Sequence, residues 1–534
     1  MKPKILLVYP NLPLMMSPAM SMGLFNAIGK RMDCEVELFE TTQYSEQYNN
    51  RHIRMTEIGA SRQNKDDEIQ DMFWIKDPDQ IIPDFVKKVE TYKPDLILMS
   101  VQEDVWRMTT QLMDSILHLD IPHVLGGQFP TNAPDVVIKW PSINCLARHE
   151  GENVVIDIIN CIKQGKSLED VNGLWYKKDN KLKKNPPAQL CNISETIPNY
   201  DCFQGVRWKR PMGGKIFERA VSMETYRGCP YNCTYCNSPT TRNLAKDFKI
   251  GNFMRRKSAD VIEQELLKYI DIYNPDLIMF QDDSFLARPA KEIFEFCKMW
   301  SKYKIPFWFN TRIENCKPEY LEALKEAGVY RMTFGVESGN EQYRKDVLKR
   351  NANNYTYHKF LDYINDSNIP YSLNVILGMP FETREMVMDT AEFIHRARGY
   401  DGLTISMWQP YHGTDLRNMA VKAGFLNPNY ICGWESKSAV GGGFMDDWVI
   451  RMPKPYLQPD DVHKLVKTFA LYAHFGPEKF DLVKNAETDK KLYNKLFDIY
   501  KQQFFGDIQE GGADRIQRFC AMHDASSTYQ FEEI

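Results

Sequence analysis

Three cysteines lie within eight residues of one another in the stretch YRGCPYNCTYCNSP (226–239). Cys229, Cys233 and Cys236, the cysteine triad, have the spacing C-x3-C-x2-C. A structural zinc site takes four ligands, and the nearest other cysteine, Cys202, lies 27 residues upstream. An iron–sulfur cluster held by closely spaced thiolates explains the pattern better. With three protein ligands, one iron of a [4Fe–4S] cube stays open to a substrate or cofactor.

The triad follows the first strand of a repeating strand–helix pattern. The predicted strands are residues 220–225, 276–280, 306–311, 330–336, 371–377 and 403–408. Among the helices between them, one is capped by Ser258, and another has Pro318 in its first turn and Gly328 as a left-handed cap. Six such units are two short of a (β/α)8 barrel, so we expect a partial barrel with the triad at its carboxyl face.

The triad, with Tyr235 just before its last cysteine, resembles the signature of the radical S-adenosylmethionine (SAM) superfamily. The resemblance implies that the open iron binds SAM, that an electron from the cluster cleaves it, and that the resulting radical takes a hydrogen from the substrate. Such chemistry needs a dry pocket. By the same resemblance, SAM contacts are expected from Tyr235, Asp282, Arg312, Glu337, Ser338 and Gly378. No catalytic residue is assigned.

The first 165 residues predict a doubly wound α/β domain. The strands are expected at 4–10, 35–40, 95–101, 121–127 and 143–148, several of them continuously apolar, as in a parallel sheet covered on both faces. Ser17 is expected to cap the first helix, with Pro18 at its first position.

The rest of the chain divides by composition. Residues 41–75 are polar and predict an insertion or long loop. Residues 166–219 are interpreted as a linker that contains a hairpin around 179–180, residues 220–415 as the barrel, and residues 416–534 as a mostly helical region with a glycine-rich loop at 433–448.

No G-x-G-x-x-G follows the first strand, so dinucleotide binding is unsupported. The segments HVLGGQFPT (123–131) and RHEGEN (148–153) instead resemble the cobalamin-binding domain that precedes the cluster domain in one radical SAM subfamily. Glycines there let a flat macrocycle approach the backbone. His149 replaces the subfamily's usual glycine, and no D-x-H-x-x-G motif supplies a cobalt ligand, so His123 is interpreted as an ordinary strand residue. The resemblance implies cobalamin contacts from Pro10, Asn11, Ser100, Gly126, Gly127, Gln128 and Glu150.

The resemblance implies a cobalamin-dependent radical SAM methyltransferase acting on an unactivated carbon of a small molecule. A radical cyclase or rearrangement enzyme without methyl transfer is the alternative, and a metal-stapled binding module is the non-enzymatic one. A methylthiotransferase is less favoured, because Cys34, Cys145 and Cys161 lie too far apart to supply a second cluster.

Composition limits the partners. The chain has 534 residues and a net charge of −4, which does not favour nucleic-acid or membrane-surface binding. No apolar run is long enough to span a membrane or to serve as a signal peptide. The twelve cysteines do not suggest a disulfide framework. We therefore predict a cytoplasmic enzyme with a small-molecule substrate and an electron donor such as flavodoxin or ferredoxin.

Overall fold

The computed structural model describes residues 2–12, 17–45, 75–179, 181–213, 215–434 and 448–505. Most of the predicted insertion at 41–75 and of the glycine-rich loop at 433–448 lies outside these residues. Strands β1 to β7 form one sheet: β1 (Lys4–Tyr9), β2 (Glu35–Glu40), β3 (Leu96–Ser100), β4 (His123–Gly126), β5 (Cys145–Ala147), β6 (Leu174–Lys178) and β7 (Lys181–Lys184).

The N-terminal sheet is doubly wound. Its order is β2-β1-β3-β4-β5-β6-β7, with β1 to β5 parallel and β6 and β7 antiparallel. The interior residues of β1 and β3 are buried, which explains their unbroken apolar sequence. In such an order the chain changes direction between β1 and β3, and ligands bind outside the carboxyl ends of the strands at that point. The predicted hairpin is confirmed, and it extends this sheet.

The second large sheet has six parallel strands. After a small hairpin of β8 (Arg210–Met212) and β9 (Lys215–Phe217) come β10 (Ala220–Met223), β11 (Tyr226–Arg227), β12 (Arg255–Arg256), β13 (Leu277–Phe280), β14 (Phe307–Thr311), β15 (Val329–Glu337), β16 (Tyr371–Leu377) and β17 (Gly402–Met407). The sheet runs β10-β13-β14-β15-β16-β17, so all six predicted strands are confirmed. β11 and β12 form a separate antiparallel pair beside the triad.

Helices cover both sheets, and further helices come after the last strand of the second sheet. They are α1 (Met20–Arg31), α2 (Ile81–Tyr92), α3 (Trp106–Ser115), α4 (Gln128–Asn132), α5 (Pro134–Val137), α6 (Glu152–Lys163), α7 (Ser238–Asp247), α8 (Ala259–Tyr273), α9 (Ala290–Trp300), α10 (Pro318–Ala327), α11 (Glu341–Asp346), α12 (Asn354–Ser367), α13 (Arg384–Ala397), α14 (Asp415–Lys422), α15 (Pro459–Phe475), α16 (Phe480–Ala486) and α17 (Lys490–Phe505). The described residues beyond 458 are thus mostly helical, as expected. None of these helices is both long and apolar enough to cross a membrane.

The predicted helix ends hold in two cases and fail in one. Ser258 caps α8 by accepting a hydrogen bond from the Val261 amide, and Gly328 ends α10 with φ +95. The prediction for Ser17 is wrong: α1 begins at Met20 with Ala19 as its N-cap residue, and no side chain caps it. Ser17 has φ +95, so the chain turns before the helix instead of entering it there.

Candidate active site

The cysteine loop, residues 228–237, follows β11 at the carboxyl end of the second sheet. Gly228 enters it with φ +98, and a Cβ there would lie 2.6 Å from the carbonyl oxygen of Phe253, so only glycine fits. Arg242 donates to the carbonyl oxygens of Cys229 (2.7 Å) and Tyr231 (3.1 Å). These contacts fix the backbone that carries the thiols.

The triad is arranged for a group larger than one metal ion. Sulfur ligands around a single zinc ion, with bonds of about 2.3 Å, lie about 3.8 Å apart. The three thiols are not among the sets of described ligand atoms that lie within 4.8 Å of one another, which disfavours a single ion. Burial raises the pKa of Cys229 to about 11 and that of Cys236 to about 12. A bound metal would stabilise the thiolates, and an iron–sulfur cluster fits this donor set.

Arg312 faces the triad. Its Nη2 lies 3.5 Å from Sγ of Cys233, its guanidinium lies 3.7 Å from the ring centroid of Tyr231, and it pairs with Glu314 at 3.1 Å. A cation this close to a sulfur stabilises negative charge on the triad and on any anionic group bound beside it. Arg312 thus lies beside the triad, and its contact with SAM stays a prediction.

Asp282 and Asp283 support the base of the cysteine loop. Oδ1 of Asp282 accepts from the Thr225 amide (2.7 Å), and Oδ2 accepts from Arg288 (2.6 Å). Oδ2 of Asp283 accepts from the Gly228 amide (2.9 Å). Asp282 is 3% exposed, and both of its carboxylate oxygens accept hydrogen bonds from residues of the protein. This geometry favours a structural role over the predicted contact with SAM.

Tyr235 and Glu337 meet beside the triad. The Tyr235 hydroxyl donates to Oε1 of Glu337 (3.1 Å), and Nη1 of Arg350 donates to both groups, at 3.0 and 3.2 Å. Glu337 has φ +65, which is uncommon for a residue with a side chain. Such strain at a strand end is maintained only where the surroundings enforce it, and it is concentrated at functional sites.

Ser338 and Gly378 are packed into the protein. The hydroxyl of Ser338 is buried, with Oγ 3.5 Å from Oγ1 of Thr390. Gly378 has φ +77, and its carbonyl oxygen accepts from Nε1 of Trp448 at 2.7 Å. A Cβ on Gly378 would lie 2.6 Å from that nitrogen. Glycine is therefore required here because Trp448 of the C-terminal region packs against this backbone, a contact that the sequence did not reveal.

A cavity of about 240 Å³ opens at the carboxyl ends of β3 and β4, beside α1 and α6. Its wall is mostly apolar, with Leu24, Phe25 and Val154 among its residues. It lies on the carboxyl side of the sheet, where doubly wound sheets bind ligands, above β3 and β4 rather than between β1 and β3. A space of this size suits one arm of a large cofactor.

Four of the seven predicted cobalamin residues line the cavity: Ser100, Gly126, Gly127 and Glu150. Gly127 has φ +106, and a Cβ there would lie 2.6 Å from the Val101 carbonyl oxygen. At Gly126 the nearest atom to an added Cβ would be Ala147 Cβ at 3.8 Å, so the backbone there borders open space.

The other three predicted residues do not line the cavity. Pro10 is buried at the end of β1, and the side chain of Asn11 donates to Oγ1 of Thr42 at 2.9 Å. Gln128 is exposed, and its Oε1 accepts from Asn132 at 3.2 Å. These three residues therefore lie outside the wall of this cavity, although Gln128 directly follows Gly127, and their contacts with cobalamin stay predictions.

Both histidines singled out in the sequence have structural explanations. His149 lines the cavity with φ +75, a conformation that favours the glycine usual at this position in the subfamily. His123 lies in β4, where its Nε2 accepts from the Asn144 amide at 3.3 Å. Its interpretation as an ordinary strand residue agrees with this contact.

Sequence reasoning missed the polar end of the cavity, which Glu152, Glu224 and Arg227 form together with Glu150. Arg227 directly precedes the cysteine loop, so the cavity and the triad adjoin. The only signal in the sequence was the position of Arg227 next to the motif. Of its partners, Glu224 is three residues away, whereas Glu150 and Glu152 come from a segment far away in the chain.

Comparisons with known proteins find similar sequences over the part of the chain that contains the triad. Residues 223–394 match the model of the radical SAM superfamily. An uncharacterized methyltransferase of Pyrococcus horikoshii is 26% identical over 363 residues, which cover 65% of this chain and 74% of the relative. An anaerobic magnesium-protoporphyrin IX monomethyl ester cyclase of Rubrivivax gelatinosus is 24% identical over 343 residues, 62% of this chain and 59% of the relative.

Two solved structures share the fold. The cobalamin-dependent SAM radical enzyme OxsB, with aqua-cobalamin and SAM bound, has a TM-score of 0.60 at 17% identity, covering 98% of this chain and 75% of that chain. The radical SAM methyltransferase TsrM of Kitasatospora setae, with cobalamin and a [4Fe–4S] cluster, has a TM-score of 0.59 at 14% identity, with coverages of 80% and 76%. The α/β fold with parallel sheets is therefore similar to that of these two enzymes.

Proposed function

We propose that this chain, which belongs to the radical SAM superfamily, is a cobalamin-dependent methyltransferase acting on an unactivated carbon of a small molecule. One observation carries the proposal: the glycine-lined cavity of the N-terminal sheet and the cysteine loop of the second sheet meet at Arg227. Two cofactor sites that adjoin can act on one substrate between them. The match with the P. horikoshii methyltransferase supports the choice of reaction.

The cysteine triad would hold a [4Fe–4S] cluster, and the cavity would hold part of cobalamin. When bound, the cluster supplies the electron that cleaves SAM, and cobalamin supplies the methyl group. Arg312 would balance negative charge at the open face of the triad. Tyr235, Glu337 and Arg350 form one bonded group that orients SAM beside it, with Ser338 and Gly378 at the neighbouring strand ends.

The chain's own residues also exclude water. Asp282, Glu337 and Ser338 are all buried or nearly so, and the second sheet has an apolar core. A dry site protects a reactive carbon species from side reactions. We further propose that the protein acts in the cytoplasm, where thiols stay reduced, and that a flavodoxin or ferredoxin donates the electron.

Anaerobic reconstitution with iron, sulfide, SAM and hydroxocobalamin tests the proposal. After a chemical reductant has converted hydroxocobalamin to cob(I)alamin and reduced the cluster, mass spectrometry of the recovered corrinoid and of the SAM fragments should show a methylated corrinoid, S-adenosylhomocysteine and 5′-deoxyadenosine. Cys233→Ser should abolish the deoxyadenosine while leaving corrinoid binding intact. A protein that binds iron but never cleaves SAM would contradict the enzyme proposal.

A radical cyclase is the second candidate, favoured by the similarity to the magnesium-protoporphyrin ester cyclase of R. gelatinosus. It differs from the first in its products. Deoxyadenosine without S-adenosylhomocysteine and without corrinoid methylation would favour the cyclase.

A further inference from the structure

Arg227 stands between the two candidate cofactor sites. Its side chain lines the cavity, and its backbone leads directly through Gly228 into Cys229. The Gly228 amide is held by Asp283 at 2.9 Å, and its Cβ position is closed by the Phe253 carbonyl. Because the backbone between Arg227 and Cys229 is held in this way, a displacement of Arg227 also displaces the first thiol.

Arg227 is held from both sides of the junction. Its Nε and Nη2 donate to the two oxygens of Glu224, at 2.8 and 2.9 Å, within its own sheet region. Its Nη1 donates to Glu152 at 2.7 Å, at the start of α6 in the N-terminal domain, and lies 3.5 Å from Oε1 of Glu150. The guanidinium group of Arg227 thus connects α6, which borders the cavity, with β11, which leads into the cysteine loop.

A second arginine completes the arrangement. Arg255 lies opposite Arg227 in the β11–β12 pair. It contacts both oxygens of Glu150, one of them at 2.8 Å, and donates to the Cys191 carbonyl at 2.7 Å. We call Glu150, Glu152, Glu224, Arg227 and Arg255 the junction network.

The junction network is largely buried and its charges nearly balance, with three carboxylates against two guanidinium groups. Removing one partner from such a network leaves a buried charge uncompensated, so the members move together. A ligand that enters the cavity contacts the polar end formed by Glu152, Glu224 and Arg227. Such a ligand therefore changes the position of the Arg227 side chain, and Arg227 directly precedes the cysteine loop.

We propose that Arg227 is a positioning residue that couples the occupancy of the cavity to the SAM site at the cysteine triad. This inference rests on the proposed function, in which the cavity binds cobalamin. Coupling between two sites is reciprocal, so the corrinoid alters SAM affinity and SAM alters corrinoid affinity by the same factor. Glu152 provides the link across the junction, and Glu224 holds Arg227 in its rotamer.

The test measures SAM affinity on the anaerobically reconstituted protein by equilibrium dialysis, with and without hydroxocobalamin. Corrinoid binding is followed by visible absorption and the reduced cluster by electron paramagnetic resonance. The variants are Glu152→Gln, which keeps the side-chain shape, and Arg227→Lys, which keeps the charge but loses the fork. Arg256→Lys is the matched control, because Arg256 neighbours Arg255 in β12 but pairs with Glu292 at the surface, at 2.7 Å.

In the wild type, the corrinoid should change the SAM dissociation constant at least about fivefold and alter the cluster's resonance spectrum. In Glu152→Gln and Arg227→Lys, measured with the corrinoid at saturation because both residues line the cavity, that factor should fall towards one with iron content retained, while Arg256→Lys keeps it. Variants that keep the wild-type factor would overturn the inference, as would variants that lose the corrinoid or the iron altogether. Wild-type protein that binds corrinoid without any effect on SAM would overturn this inference alone; failure to bind corrinoid would overturn both it and the cobalamin assignment.

Discussion

The two adjacent glycines at the end of β4 should respond differently to the same added methyl group. Gly127 has φ +106 and ψ −169, a region almost confined to glycine, and its Cβ would lie 2.6 Å from the Val101 carbonyl oxygen and 2.8 Å from the Val101 amide nitrogen. The backbone strain costs about 1–3 kcal/mol and the overlap a similar amount. We expect Gly127→Ala to lower the free energy of unfolding by about 3 kcal/mol or more.

Gly126→Ala is the matched control for stability and the sharper test of ligand binding. Its methyl group would meet only Ala147 Cβ at 3.8 Å, an ordinary contact, so unfolding should change by no more than about 0.5 kcal/mol. The methyl group enters the cavity, however, where it would overlap a bound cofactor arm. A penalty of about 1–3 kcal/mol corresponds to roughly 5- to 150-fold weaker corrinoid binding.

Urea unfolding, with the m-value checked, measures the loss of stability in Gly127→Ala. Titration with hydroxocobalamin, followed by visible absorption, measures the loss of corrinoid affinity in Gly126→Ala. If Gly126→Ala bound the corrinoid as tightly as the wild type, the close approach of a ligand to this backbone would be refuted. If Gly127→Ala were as stable as the wild type, the backbone argument would be refuted instead.

Three further changes test other parts of the site. Cys233→Ser should lower the iron and sulfide content by more than half after reconstitution, because two thiolates hold a cluster poorly; unchanged iron would contradict the ligand assignment. Asp282→Ala should cost about 3–5 kcal/mol in urea unfolding, because it leaves the buried Arg288 guanidinium unpaired, and a loss below about 1 kcal/mol would show that the pair is dispensable. Burial raises the pKa of Asp104, which accepts a hydrogen bond from Tyr411 at 2.8 Å, to about 7. The contribution of this carboxyl group to stability is therefore complete below about pH 4 and is lost, by about 4 kcal/mol, as pH rises through about 7. Asp104→Asn, with unfolding measured from pH 5 to pH 8, should flatten that slope, and an unchanged slope would assign it to other groups.

Much of the fold could be predicted because local pattern and long-range structure agree. β2 and β16 begin and end at the predicted residues, since an apolar or alternating run bounded by polar residues defines a strand by itself. The start of α1 was misplaced because serine followed by proline suits a helix start locally, whereas the positive φ of Ser17 depends on the packing of the preceding loop.

The site was predictable where a motif is continuous in sequence and not where partners are distant. The triad, Arg312 and the glycine pair could be identified from short segments. The roles of Glu150 and Gly378 could not, because their partners Arg255 and Trp448 lie 105 and 70 residues away. Asp282 illustrates the same limit: a carboxylate at a strand end suits a ligand contact or an internal bond equally well in sequence.

The last strand of the N-terminal sheet, β7, has the sequence KLKK and is mostly exposed. An unpaired strand at the margin of a sheet offers free backbone groups to the same strand of another molecule, and lysines there repel such a neighbour. Lys181 therefore protects this margin against intermolecular strand addition, whereas Lys183 and Lys184 pair with Asp170 and Asp135 of the same chain. Replacing Lys181 by threonine should make the protein more prone to aggregate through this margin.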